Sequence, residues 1–78
     1  MNAFGYAIGD DELTPLELSE VALVVTLDEI QDLIGFLQKA YEEHSQIEVM
    51  GDNEHSHLKD FKSSYKNKEH SDFIIVTK

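Results

Sequence analysis

Two histidines are separated by a single residue within a Glu-His-Ser-His segment, and no other histidines in the chain lie so close together in sequence. In an extended segment His55 and His57 project from the same side of the backbone, so their imidazoles could share a Zn²⁺ or Ni²⁺ ion. Asp60 would be the third ligand, with Asp52 or His70 as alternatives. Paired histidines are more often half-buried polar residues along an edge strand, and we favour this structural or interface role over the metal site.

The sequence gives little support for catalysis. Ser63-Ser64, the histidines and many carboxylates are the ingredients of acid–base chemistry. They are not arranged as a nucleophile elbow, a phosphate-binding loop or a His-Glu-x-x-His helix. We therefore predict that the protein is not an enzyme and, apart from the zinc alternative, holds no cofactor.

The charge of the chain is strongly negative and unevenly distributed. Sixteen acidic residues against six lysines and no arginine give a net charge of −10 over 78 residues. Residues 1–58 hold thirteen acids and one lysine, whereas residues 59–78 hold three acids and five lysines. This balance argues against a nucleic acid or an anionic membrane as ligand. It indicates either a cationic protein partner or an acidic surface that only keeps the chain in solution, and for any single acidic run the second interpretation is favoured.

Candidate contacts for such a partner are the acidic residues that the pattern leaves on the outside, with one apolar anchor. A negative field raises the association rate of a cationic protein, while affinity comes from a smaller contact patch. The predicted contacts are Asp10, Asp11, Glu12, Glu17, Glu20, Phe36, Glu42 and Glu43.

Length and cysteine content predict one small domain over residues 1–78 in a reducing compartment. The chain has no cysteine, so a disulfide framework is excluded. It has no apolar run of about 20 residues that could span a membrane. The first residues lack the basic and apolar regions of a signal peptide, so we expect a cytoplasmic protein.

Two strands are predicted before the helix. Phe4, Tyr6 and Ile8 alternate with small residues, which is typical of a strand. Residues 16–25 are rich in aliphatic side chains, but the alternation changes phase in the middle. Either a bulge near Ser19-Glu20 restores one face, or the segment is a central strand covered on both faces.

A helix is predicted to begin after Thr26, because Thr26 and Glu29 form the pattern of a capping box. Apolar residues at three- and four-residue steps then mark the face expected to enter the core. These residues are Ile30, Leu33, Ile34, Leu37, Ala40, Tyr41 and His44. Phe36 falls outside this stripe, which is why it is a candidate partner anchor. At Gly35 a small residue would admit close contact, although a merely tolerated glycine is the favoured interpretation.

Residues 55–61 fit either a strand or a helix, and we favour a strand. Residues 62–71 are polar and predicted to form a loop, and residues 73–76 form an apolar run typical of a strand buried on both faces. The predicted fold is therefore α+β, in the order β-β-α-β-β. It has a single antiparallel sheet of about four strands with one amphipathic helix packed on one face. The uncovered sheet face is where a homodimer would form.

Three segments together resemble the bacterial immunity protein thirty-two family of polymorphic toxin systems. They are residues 16–21, the His55-x-His57 step and residues 71–76. The resemblance implies a non-enzymatic protein that binds and neutralises a cognate toxin, and it matches Glu20, His55 and His57 to family positions. It also leaves open whether these residues serve folding or toxin contact. Together with the charge, it suggests a basic nuclease toxin whose cleft is covered by carboxylates. A metal-binding protein and a self-associating domain are the alternatives.

Overall fold

The computed structural model describes residues 1–9, 14–46 and 54–77. Two antiparallel strands, β1 (Ala3–Gly5) and β2 (Leu16–Leu18), precede the long helix α1 (Leu27–Ser45). A second strand pair, β3 (Glu54–His57) and β4 (Ile74–Thr77), encloses the one-turn helix α2 (Leu58–Phe61) and a 3₁₀ turn (Ser63–Lys66). The fold is thus α+β. Its described strands form two separate two-stranded sheets, so the predicted single four-stranded sheet is not confirmed.

The predicted start of α1 is confirmed. The Glu29 backbone N–H donates to the Thr26 hydroxyl at 3.1 Å, and the Thr26 backbone N–H donates to the Glu29 carboxylate at 2.8 Å. This reciprocal pair satisfies two of the amides that a helix leaves without intrahelical partners at its first turn. Asp28 and Glu29 also place negative charge at the positive end of the helix dipole.

The face of α1 that enters the core differs from the prediction. Phe36, Ala40 and His44 are its buried residues, and Leu33 packs beside them. Phe36 is only 2% exposed, so it is the centre of the core, and its assignment as an exposed partner anchor is wrong. These positions follow one another at steps of three and four residues and therefore share one side of the helix.

The second half of the chain folds over that face. β3 and β4 pair antiparallel, with His55 opposite Val76 and His57 opposite Ile74. The strand predicted for residues 55–61 is right up to His57 and wrong beyond it, because the chain turns into α2 at Leu58. The Leu58 amide then bonds the Phe73 carbonyl at 2.8 Å, which closes the 58–73 segment into a loop on the helix.

Two further predictions for this half need correction. The polar segment 62–71 is not a plain loop, since it contains the 3₁₀ turn, whose Tyr65 is buried. The last strand is not covered on both faces, because Ile74 and Val76 are exposed while Ile75 and Thr77 are partly buried. An alternating pattern of burial is typical of a sheet with one wet face.

Aromatic rings fill the core between α1 and this half. The Phe36 ring meets Phe61 edge-on at 5.8 Å between centroids and Phe73 at 6.1 Å. Leu58 and Tyr65 complete the buried cluster. Edge-to-face pairs of this geometry stabilise by about 0.5–1.5 kcal/mol beyond their buried area.

Gly35 permits the close approach of Phe61 to α1. A Cβ built at this position would lie 3.3 Å from the tip of the Phe61 ring, tighter than ordinary van der Waals contact. The glycine therefore lies at a packing contact with Phe61, and the two interpretations of Gly35 differ in how far that ring can shift.

The first 25 residues pack far less. β1 and β2 are three residues each, with Phe4 opposite Glu17, and their strand structure ends well short of the predicted 4–8 and 16–25. Every described residue from Tyr6 to Val25 is exposed. Residues 10–13 and 47–53, which include the predicted contacts Asp10, Asp11 and Glu12 and the alternative metal ligand Asp52, lie outside the described residues. A two-stranded hairpin without a covering layer is marginal in water.

Candidate functional site

His44 links α1 to both strands of the second sheet. Its two ring nitrogens lie 2.6 Å from the Thr77 hydroxyl and 2.9 Å from the Ser56 hydroxyl. His44 is 6% exposed, so this pairing satisfies groups that would be costly to bury alone. His44 was predicted to lie on the face of α1 that enters the core, and its burial confirms that placement.

A shallow cleft of about 250 Å³ opens beside that link, between α1, β3 and α2. We call it the histidine cleft. Its polar lining consists of Lys39, Glu43, His55, Ser56, His57 and Asp60. The structure thus brings the three predicted metal ligands to one cleft. It also places there a lysine and a glutamate that form a loose ion pair at 3.8 Å.

The predicted ligands do not form a three-residue metal group. No set of three or more histidine, cysteine, aspartate or glutamate side chains within residues 1–9, 14–46 and 54–77 is placed to hold one ion. The His55 and His57 rings meet edge-on at 5.4 Å between centroids. His57 Nδ1 lies 2.7 Å from a carboxylate oxygen of Asp72, which also attracts Lys59. Asp52, one alternative third ligand, lies outside the described residues.

Several carboxylates form hydrogen bonds or ion pairs within residues 26–46 and 54–77, which we call the packed half of the chain. Asp32 accepts a hydrogen bond from the Tyr65 hydroxyl at 2.7 Å and from the Lys62 ammonium at 3.2 Å. These bonds, the tyrosine first, hold the pKa of Asp32 below its ordinary value. The same contact raises the pKa of Tyr65 to about 12, because ionised Tyr65 would face a carboxylate.

The Glu29 carboxylate is also paired within the fold. The pKa of Glu29 is lowered, mainly by the hydrogen bond from the Thr26 backbone and next by the Thr26 hydroxyl. His70, at 3.8 Å, makes a smaller contribution. Its charge is thus committed to the helix cap. Sequence reasoning found this residue through the capping pattern, but missed Asp32 because its partners are 30 and 33 residues away.

The carboxylates that were predicted to contact a partner protein form fewer hydrogen bonds and ion pairs within the chain. Glu17 and Glu20 are exposed on the hairpin side and form no ion pair with any described residue. On α1, Glu42 accepts from the Gln38 amide at 3.1 Å, and Glu43 has only the loose Lys39 contact. Asp10, Asp11 and Glu12 lie outside the described residues.

An exposed apolar strip also runs along α1. It consists of Leu27, Ile30, Ile34, Leu37 and Tyr41, and we call it the outer stripe. Four of its five residues were predicted to enter the core or continue its face. Ile34 is instead 63% exposed and Tyr41 72% exposed. The predicted stripe covered a broad arc of the helix, and only one side of that arc is buried.

Among the described residues no helix has the length and apolar character needed to cross a bilayer. Comparison with protein-family models, with curated proteins and with solved structures found no match. The site is therefore interpreted from its own residues and contacts.

Proposed function

We propose that this chain is a non-enzymatic, immunity-type protein that binds and neutralises a cationic bacterial toxin through its outward carboxylates. The observation that supports this most is the division of its acidic residues. Asp32, Glu29 and Asp72 are engaged with cationic or hydroxyl groups of the packed half. Glu17, Glu20, Glu42 and Glu43 face outward.

This division matters because carboxylates already paired within a fold contribute little to attracting a partner. Outward acids on a chain of net charge −10 produce a negative field that steers a basic protein toward them. A nuclease is a suitable toxin class, since its cleft is basic in order to hold phosphates. The carboxylates of the immunity protein would then lie where phosphates bind. Phe36 has no part in this contact.

The direct test uses the open reading frame next to the gene for this chain. We expect it to end in a basic domain that stops bacterial growth when expressed alone. We also expect co-expression of this chain to restore growth, and the two proteins to co-purify. A neighbouring gene without such a domain, or growth that co-expression does not restore, would contradict the proposal.

The acidic contact itself is tested with paired charge-reversal variants. Glu42→Lys combined with Glu43→Lys should slow association with the toxin domain and flatten its dependence on salt, because long-range attraction is screened by ions. Lys66→Glu combined with Lys68→Glu is the matched control. It changes the net charge by the same amount with the opposite sign, at the end of the 3₁₀ turn and just after it. An association rate at low salt that the Glu42 and Glu43 changes leave unaltered would exclude these two carboxylates as contacts.

A further inference from the structure

The chain exposes more surface than a compact protein of its size. Its accessible area is 6860 Å², whereas a compact monomer of this mass exposes about 4,800 Å². Its radius of gyration is 13.6 Å, against about 11.5 Å expected for a compact chain of this length. A stable interface covers about 800 Å² of each partner. The excess area of the whole chain is larger than one such interface, and the exposed apolar residues of α1 contribute part of it.

The outer stripe is the most regular part of that exposed surface. It spans α1 from Leu27 to Tyr41, which is about 21 Å along the helix axis. A continuous apolar strip of this length on a small protein marks an interaction surface.

The charges around the outer stripe indicate what kind of partner covers it. With about 100° between successive residues, the solvent-side neighbours of the stripe are Gln31, Gln38 and Ser45, none of them charged. Asp28 and Glu42 lie further around the helix. The edge nearest the strip is thus uncharged, which reduces the repulsion that a second copy of charge −10 meets there.

The spacing of the outer stripe also suits self-pairing. Its residues are arranged almost symmetrically about Ile34, so in an antiparallel pair of helices Leu27 faces Tyr41 of the second copy and Ile30 faces Leu37. Ile34 then meets its own equivalent on the two-fold axis. Such an interface is self-complementary, as two-fold dimers require, and the opposed helix dipoles also attract.

We infer that the outer stripe of α1 is the seam of a homodimer, in which two α1 helices pack antiparallel about Ile34. This surface differs from the sheet face that the sequence suggested for a homodimer. The inference goes beyond the proposed toxin binding and does not depend on it.

Disulfide trapping tests the seam directly, because the chain has no native cysteine. In the Ile34→Cys variant two thiols would meet on the two-fold axis at an effective concentration in the millimolar range, so oxidation should give a covalent dimer roughly tenfold or more faster than in Gln31→Cys. Equal rates for the two variants would overturn the seam.

Light scattering during size-exclusion chromatography provides the second test. We expect the unmodified chain to run at twice its monomer mass, Ile34→Glu at the monomer mass, and Gln31→Glu, which adds the same charge outside the stripe, as a dimer. Circular dichroism of each variant verifies that α1 is retained. If the unmodified chain is a monomer at the highest concentration reached, the inference is overturned, and this holds whether the outer stripe is left open or is covered by the β1–β2 hairpin of the same chain.

Salt separates this association from toxin binding. Two copies of charge −10 repel, so added salt should strengthen the dimer, whereas it should weaken binding of a cationic toxin. Loss of the dimer in Ile34→Glu with retained toxin neutralisation would refute neither proposal. Failure of neutralisation with an intact dimer would remove only the proposed function.

Discussion

Residues 1–25, the front half of this chain, and the packed half differ in how far their apolar residues are buried. More than half of residues 1–25 are apolar, against 41% of the whole chain, yet none of residues 1–9 and 14–25, the part of this range that the structure describes, is buried. Residues 27–77 contain Phe36, Ala40, Leu58 and Tyr65, which are buried. The difference shows that apolar content does not by itself create a core. A long capped helix offers a face against which a returning strand pair can pack, while two three-residue strands do not.

The largest expected difference is in the loss of unfolding free energy when a phenylalanine is truncated to alanine in each half of the chain. Phe36→Ala removes the ring that contacts Phe61 and Phe73, and we expect a loss of about 3–5 kcal/mol in the free energy of unfolding. Phe4→Ala, at a side chain 56% exposed, should change it by less than about 0.5 kcal/mol. Urea denaturation of both variants measures this. Equal losses would mean that the front half packs as firmly as the back.

A smaller but still clear effect is expected at the link between α1 and the second sheet. His44→Leu leaves the Ser56 and Thr77 hydroxyls without their partner, which should cost about 1–3 kcal/mol of unfolding free energy. Adding Ser56→Ala and Thr77→Val removes the unpaired groups and should recover part of that loss. If the triple variant is no more stable than His44→Leu, the cost arises from packing and not from unpaired hydroxyls.

The pH dependence of stability should reveal the Asp32–Tyr65 contact. Because the pKa of folded Tyr65 is raised to about 12 from 10.0, its contribution is complete below pH 10 and is lost as pH rises toward 12. The pKa of Asp32 is lowered, so its contribution is present above its unfolded value and is lost as pH falls through the folded one.

Tyr65→Phe should therefore be less stable than the unmodified chain at neutral pH, and the difference should shrink at both extremes of pH. Tyr6→Phe is the matched control, since Tyr6 is 59% exposed and lies outside the outer stripe. Chemical denaturation from acidic pH to pH 12 provides the comparison. A constant difference at every pH would show that the ring, and not the hydrogen bond, accounts for it.

The smallest expected effect concerns how tightly the packed half is filled. Gly35→Ala improves helix propensity by about 1 kcal/mol, while its new methyl would press on the tip of the half-buried Phe61 ring. Phe61 borders the open histidine cleft and can shift by a few tenths of an ångström, so we expect a net gain of less than 1 kcal/mol. Gly35→Val, which is larger and β-branched, should destabilise. A loss in the Ala variant would show that Phe61 has no room.

Local patterns predicted the start of α1 well, because the Thr26 and Glu29 bonds lie within one helical turn. The inner face of α1 was less predictable. Apolar residues occupy a broad arc of this helix, and the sequence gives no rule for which part of the arc faces the core. One clue was available, since Phe36, Ala40 and His44 recur at four-residue steps.

Long-range partnerships escaped prediction for a related reason. His44 meets Ser56 and Thr77, and Asp32 meets Lys62 and Tyr65, across 12 to 33 residues of sequence. Polar residues with such separation show no periodicity that could connect them. The strand lengths were overestimated in the front half because β-branched residues favour strands only where a neighbouring layer covers them.

The enclosure of Phe36 has a consequence for synthesis of the chain. The ring is covered by Phe61 and Phe73, so α1 leaves the ribosome well before the residues that shield its inner face. Domains that fold during translation complete their cores only when the last contributing residues have emerged. Nascent α1 is therefore apolar on both its inner and outer sides, and early contact with a chaperone or with a second nascent copy would protect it.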